Sequence, residues 1–369
     1  MIYQEKKEKS RDRNKIRRAK PAEEKKEKPL KKDKTFEGII NKFSQSKIMV
    51  IGDYISDVYV YGKPFKLSRE APVVVIRHER ESIVPGGAGN AVQNLASLGG
   101  KVYAVGILGN DEAGNSILNQ LKQKGVNGDG LLSSHIVNTI SKTRIMAGDD
   151  HTSKRQVLRI DKVNQEPIPA RLQEKIYSQF KQIADKVDAI LVSDYGCGVV
   201  SDRMIFLIQT LAKQKMVVVD SRYQVMRFRG VTAVTPNESE AEKAVRMRLI
   251  EDHGVERAAQ IMMEKLKTQA VLITRGNRGM TLLEKPARIS HIPVSGHDDI
   301  TDVTGAGETV VAVFTLSLAA GAGFYKAAIL ANCAAGVAVR KSGTAALTRE
   351  ELREAVNPVR KSPNGIYPL

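Results

Sequence analysis

The stretch with the most chemical content is Thr301-Asp-Val-Thr-Gly-Ala-Gly-Glu-Thr309, which runs straight into the apolar segment 310–320. Gly305-Ala306-Gly307 is a turn almost free of side chains, placed where a helix is expected to begin. The first N–H groups of a helix have no intrahelical acceptor, and the helix dipole adds positive potential there. Such a turn suits an anion. For a phosphoryl group in transfer, Gly305, Ala306 and Gly307 would be a hole for the charge that develops on it. Glu308 follows at once, a carboxylate that can take the proton of an attacking hydroxyl. Taken alone, the same Gly-Ala-Gly fits close helix packing equally well.

Elements must bring partners to this turn. Short apolar runs at 47–53, 102–107, 189–193, 216–220, 233–235 and 270–274 read as buried strands. Helices are expected at 90–98, 115–124, 202–214, 238–245 and 255–267. In the second half strand and helix alternate, which predicts a mostly parallel sheet covered by helices on both faces. The fold class is therefore α/β. Ligands of such sheets bind beyond the carboxyl ends of the strands. The polar residues just after the strands are Asp53, Asp194, Asp220, Asn237 and the Thr274-Arg275-Gly276 turn. Each type also caps helices, but their gathering on one edge favours a polar site. The β-rich runs 58–61, 73–76, 143–147 and 156–160 break the rhythm. They are expected to form a small separate sheet, a lid lying within about 57–80 and 142–161.

The 369 residues suffice for one large α/β domain or two ordinary ones. No run approaches the ~18 apolar residues of a membrane span, and no secretory leader is expected. Cys197 and Cys333 are far apart, without neighbours at metal-ligand spacing. A reducing cytoplasm is the expected location. The net charge of +17 raises the question of nucleic acid. Residues 1–34 hold fifteen Lys/Arg against seven Asp/Glu, so nearly half the excess sits in a segment too polar to fold alone. Residues 1–35 are expected to be a disordered basic tail and 36–369 the folded domain; nucleic-acid binding is expected, if anywhere, through that tail.

Four motifs in order resemble the ribokinase-like (PfkB) carbohydrate kinases over about residues 36–356. They are Pro85-Gly-Gly-Ala-Gly-Asn90, Thr235-Pro-Asn-Glu-Ser-Glu240, Thr274-Arg-Gly-Asn-Arg-Gly279 and Asp302-Val-Thr-Gly-Ala-Gly-Glu308. Further runs, Gly52-Asp53 with Asp57, Ser68-Arg-Glu-Ala-Pro-Val-Val74, Gln156-Val-Leu-Arg-Ile-Asp161 and Ser193-Asp-Tyr195, are similar to the heptose-7-phosphate kinase domain of lipopolysaccharide-precursor synthesis. The resemblance implies a three-layer α/β/α sandwich and transfer of the γ-phosphate of ATP to a sugar hydroxyl. The best-matching acceptor is D-glycero-D-manno-heptose 7-phosphate, giving the 1,7-bisphosphate; a different sugar is the alternative. It also implies a homodimer through the lids, and a kinase standing alone where many of the group are fused to a nucleotidyltransferase.

Position by position, the resemblance gives Asp53, Asp57, Gly86, Gly87, Asn90 and Asp194 to the sugar. Asn237 and Glu240 would organise Mg2+ through water, Glu240 nearest the metal. Thr274, Gly276, Gly279 and Asn332 would border ATP. Asp302 and Thr304 would lie beside a monovalent cation such as K+. Gly305, Ala306 and Gly307 would be the anion hole, and Glu308 the base. Two residues depart from the pattern. The family has aspartate where this chain has Glu308, one methylene longer. Heptose kinases carry lysine where this chain has Cys197, read here as a small half-buried residue beside a glycine turn. The departures keep open a slowed kinase or a protein that binds sugar or nucleotide without turnover. His291 and His297 are read as loop or nucleotide-edge residues placed on the surface, and Lys341 as marking a helix end or shaping an adenine pocket.

Overall fold

The computed structural model describes residues 35–148, 154–164, 166–295, 301–341, 343–344 and 346–361. The expected basic tail and His297 lie outside them. In chain order the strands are β1 (Lys47–Gly52), β2 (Tyr54–Leu67), β3 (Val74–Gly87), β4 (Lys101–Gly109), β5 (Asn127–Ser134), β6 (Ile140–Ala147), β7 (Arg155–Lys162), β8 (Ala189–Asp194), β9 (Met216–Ser221), β10 (Ala233–Val234), β11 (Ala270–Thr274), β12 (Met280–Glu284) and β13 (Arg288–Ile292). The helices are α1 (Phe36–Ile40), α2 (Ala88–Ser97), α3 (Glu112–Gln123), α4 (Ala170–Ala184), α5 (Asp202–Leu211), α6 (Glu238–Val245), α7 (Glu251–Leu266), α8 (Ala306–Ala319), α9 (Phe324–Ala338) and α10 (Arg349–Lys361).

β1 shows how the layers arise. Successive side chains of a strand point to opposite faces. Ile48 and Val50 enter one core, with α1, α2, α8, α9 and α10. Met49 and Ile51 enter the other, with α4, α5, α6 and α7. A strand apolar on both faces belongs inside a doubly covered sheet. That sheet has nine strands in the order β13-β12-β11-β10-β9-β8-β1-β4-β5. The strands from β11 through β5 pair in parallel. The β11–β12 and β12–β13 pairs are antiparallel, an edge that the β-then-α reading does not contain. Helix α8 is buried along nearly its whole length, as a helix apolar all round must be.

The second sheet has the order β3-β2-β6-β7. Its first two strands, each 14 residues, run well beyond the expected 57–80. β2 starts one residue after Asp53, and β3 ends on Gly87, where α2 begins. The lid is therefore rooted in the carboxyl edge of the large sheet. Every residue of β7 is exposed. No helix among the described residues is long and apolar enough to cross a membrane.

Candidate active site

The glycine turn before α8 is held from below. Gly305 has φ +83°, left-handed backbone that side chains disfavour, and a Cβ there would collide with Asn90 Nδ2. Asn90 Nδ2 donates to the Gly305 carbonyl at 3.3 Å, and Asn94 Nδ2 donates to Asn90 Oδ1 at 3.0 Å. The Leu347 N–H donates to Asn94 Oδ1 at 3.3 Å. Asn90 is 1 % exposed and both ends of its amide take part in this chain of bonds. Asn90, assigned to the sugar by resemblance, braces the turn. Gly307 is open, since a Cβ on it would meet nothing within 4 Å.

Glu308 sits in the first turn of α8 and is half-buried. Loss of water raises its carboxyl above the usual range, opposed by the Tyr195 hydroxyl, which donates to Glu308 Oε1. The Tyr195 ring has Lys142 Nζ over its face, 4.9 Å from the centroid, and the Arg222 guanidinium at 6.0 Å. Lys142 and Arg144 come from β6 in the lid, two apart and therefore on one side of the strand. Arg144 pairs with Asp57 of β2, and both are buried. Gly86 lets β3 lie against this pair, because a Cβ there would strike the Asp57 carboxylate. Gly87, at φ +54°, likewise leaves no room for a Cβ beside the Asp53 carbonyl.

Asp53 and Asp194, the two carboxylates assigned to the sugar by resemblance, both bind the loop after β8. Asp53, 1 % exposed, accepts the N–H groups of Tyr195 (2.8 Å), Cys197 (3.1 Å) and Val199 (3.3 Å). Burial pushes its carboxyl up to about 6 despite these bonds. Asp194 accepts from the Gly196 N–H at 2.9 Å and the Ser221 hydroxyl at 2.6 Å. Both carboxylates are turned into the protein, where they shape the loop after β8. Cys197 lies in that loop. Burial, then the nearby Asp53, pushes its thiol up to about 12, so it stays protonated and weakly reactive.

On the adjacent strands, Asn237 and Glu240 form a capping box at the start of α6. The Glu240 N–H donates to Asn237 Oδ1 at 2.9 Å, and the Asn237 N–H to Glu240 Oε2 at 3.0 Å. Asn237 is therefore a helix cap that orients Glu240, and one Glu240 oxygen is occupied. Burial raises the Glu240 carboxyl, and Glu308 adds to the rise. Asp220, at the end of β9, is raised by burial and by Glu240, Glu308 and Asp194, with Arg222 opposing. Asn237 also bridges to Thr274. Beside Thr274, the buried Arg275 binds Glu238 (2.9 Å) and Asp252 (2.7 Å), fixing the loop to the first turns of α6 and α7. Gly276 (φ +57°) and Gly279 (φ +76°) turn the chain back into β12.

Four other residues singled out in the sequence are bound to groups of the protein. Asn332, 2 % exposed, donates to the Pro293 carbonyl at 2.7 Å and anchors the segment after β13. Asp302 accepts from the Thr304 N–H at 2.9 Å and the Gly343 N–H at 3.0 Å, closing the loop that carries Thr304. Neither Asp302 oxygen is without a donor. His291 is a strand residue of β13, not a loop residue, set between Glu256 (2.8 Å) and Thr281 (3.1 Å). Lys341 binds Glu351 of α10 at 2.7 Å. Lys142 and Arg144 are missed from the sequence, and Tyr195 stands there only as part of a run, without a role. The Lys142/Arg144 spacing on a strand was the available signal.

A nine-stranded α/β sheet whose carboxyl edge is covered by a β lid, with a carboxylate on a glycine-rich helix start, defines the ribokinase-like class of folds. Arabidopsis thaliana ribokinase, solved with ribose and ATP, superposes at TM-score 0.65, with 18% identity, over 85% of this chain and 99% of that one. Escherichia coli phosphofructokinase-2, solved with substrates and products, does so at 0.68, also with 18% identity, over 84% and 98%. These likenesses establish the fold. The chain belongs to the pfkB family of carbohydrate kinases, whose sequence pattern it matches over residues 45–351. Among curated relatives, the bifunctional protein HldE of Geotalea uraniireducens is 37% identical over 322 residues, 86% of this chain and 64% of that protein. HldE of Geobacter metallireducens is 36% identical over 307 residues, 82% and 61%. The chain thus spans a little under two thirds of the length of these relatives.

Proposed function

We propose that this chain transfers the γ-phosphate of ATP to a hydroxyl of a phosphorylated heptose, D-glycero-D-manno-heptose 7-phosphate. The observation that carries the transfer is Glu308, fixed at the open N-terminus of α8 beside Gly305–Gly307. The sugar assignment rests on the heptose-kinase-like runs together with the HldE relatives. In this reading Glu308 takes the hydroxyl proton as the oxygen attacks phosphorus. The N–H groups of the first turn of α8 hold the charge on the transferring group. Asp57, Arg144 and Lys142 lie on the lid side, where an anionic sugar would be held. Mg2+ would be held by Glu240 through water, with Asn237 orienting that carboxylate. The donor set fits a hard cation that keeps its waters: oxygen ligands, crowded enough to raise one another's proton affinity, and no closed cage of three ligands among the described residues. Bound Mg2+ would screen the phosphates. A monovalent cation beside Asp302 and Thr304 has a parallel in Escherichia coli phosphofructokinase-2, solved with potassium. The expected result is ADP release with Mg-ATP and heptose 7-phosphate, at least ~10-fold faster than with other sugar phosphates, the margin a single extra polar contact can give. Equal rates across a panel would remove the heptose assignment; silence across it would remove the kinase reading.

We propose further that the working form is a homodimer through the lids. Leu158 and Ile160 on β7 are 55% and 54% exposed, and Leu67 on β2 is 69% exposed. Large apolar side chains gathered on one exposed sheet mark an interface. Leu158→Glu/Ile160→Glu is expected to sediment as a monomer where the native chain is a dimer, with unchanged far-UV circular dichroism. A native chain that sediments as a monomer would end this proposal.

A further inference from the structure

We infer that Tyr195 is the positioning residue for Glu308, and that it suits this site to the longer of the two acidic side chains. The inference rests on the kinase reading above for its catalytic meaning, and on contacts alone for its geometry. The Tyr195 ring is held from several sides. Its backbone N–H donates to buried Asp53 at 2.8 Å, so the main chain cannot drift without uncovering that carboxylate. Lys142 covers one face of the ring from the lid, and Arg222 stands near it from the end of β9. A ring so fixed offers its hydroxyl at a set point, and that hydroxyl donates to Glu308 Oε1. Burial keeps the phenol far above its ordinary pKa, so it remains a donor throughout the working range.

Glutamate has one more rotatable bond than aspartate, and its carboxylate reaches about an ångström further from the helix. Unrestrained, that freedom scatters the base, and misplacement on this scale can cost about 10²-fold in rate. The Tyr195 hydroxyl holds Oε1, and in this reading Oε2 takes the substrate proton. The groups that act on the Glu308 carboxyl are Tyr195 from the loop after β8, by a hydrogen bond, and, through their charge, Asp57 from β2, Lys142 from β6, Asp220 from β9 and Glu240 from α6. Three of these are carboxylates and favour its protonation; Lys142 and the Tyr195 hydroxyl favour the ionised base. Loss of the hydroxyl therefore moves the titration of Glu308 upward.

The test compares the full chain with Tyr195→Phe, Glu308→Asp and the double variant. Tyr195→Phe keeps the ring and is expected to lower kcat about tenfold, to leave KM for ATP within about twofold, and to move the acid limb of the kcat profile up by about one pH unit, the scale of one charge-assisted hydrogen bond. In the Glu308→Asp background the same change is expected to do little, because the shorter carboxylate no longer meets the hydroxyl. An unmoved acid limb, or an equal loss in both backgrounds, overturns the inference. A second readout needs no turnover: the 13C titration of the Glu308 carboxyl, assigned with Glu308→Gln, is expected to move upward by about one unit in Tyr195→Phe. If that midpoint moves while every sugar leaves the native chain silent, the positioning stands and the kinase reading falls. If it does not move, the positioning falls whatever the activity.

Discussion

Glu308→Gln is expected to lower the rate of ADP release about 10²–10⁴-fold, the usual worth of a general base. The substitution is almost isosteric. The amide oxygen still accepts from Tyr195, so the first turn of α8 and the loop after β8 keep their contacts. What is lost is a site for the proton. Nucleotide binding is expected to persist, seen as thermal stabilisation by Mg-ATP in the silent variant. The pH dependence of the native chain follows from the same carboxyl. The base works ionised, and burial raises its pKa above the usual carboxylate range. Activity is therefore expected to fall as pH drops through that raised value, at higher pH than for an exposed glutamate. Glu308→Asp separates the remaining readings. A native chain that turns over and an Asp form that is slower mark Glu308 as a fitted base. A silent native chain with an active Asp form marks a kinase site disabled at one position, which binds without turnover. Silence in both removes the sugar or the kinase assignment.

Much of this architecture is legible in the residues. β1 reads as a buried strand because all but its first residue are apolar, and both of its faces are indeed covered. The glycine turn before α8 is legible because only glycine tolerates the backbone it needs at 305. The antiparallel β12–β13 edge is not, since two five-residue runs around a tight turn carry no helical rhythm to place them. The site is legible by residue type and only partly by role. Asp53, Asp194, Asn90 and Asp302 are polar residues in the expected places, and each is bound to groups of the protein itself. A sequence shows that a carboxylate is present, not which N–H groups reach it. The deciding bonds are remote: Tyr195 meets Glu308 across 113 positions and Asn90 meets Gly305 across 215. The same holds for Cys197. Its type suggests a lost charge, while the fold brings Lys142 from the lid to the same loop.

If the turn before α8 seats the transferring phosphoryl group, its two glycines, two positions apart, are expected to fail differently. Gly305→Ala places a Cβ on left-handed backbone, which costs about 1–2 kcal/mol for an L residue, and drives it into Asn90 Nδ2. Relief of that collision moves Asn90, and with it the bond to Asn94 that is tied to Leu347. Both the denaturation midpoint and kcat are expected to fall, kcat by about 10²–10³-fold, as when one donor is lost from an oxyanion hole. Gly307→Ala has no such strain. Its φ is not positive, and a Cβ there meets nothing within 4 Å. Alanine in a helix is favoured over glycine by up to about 1 kcal/mol, so stability is expected to hold or rise. Yet the new methyl group stands in the open space over the first turn, where the transferring phosphoryl group would lie. Loss of kcat with unchanged or raised stability at 307, against loss of both at 305, is the signature of an anion seated on that turn. Full activity in Gly307→Ala would mean that the phosphoryl group is held elsewhere, and the open end of α8 would then be a feature of packing alone.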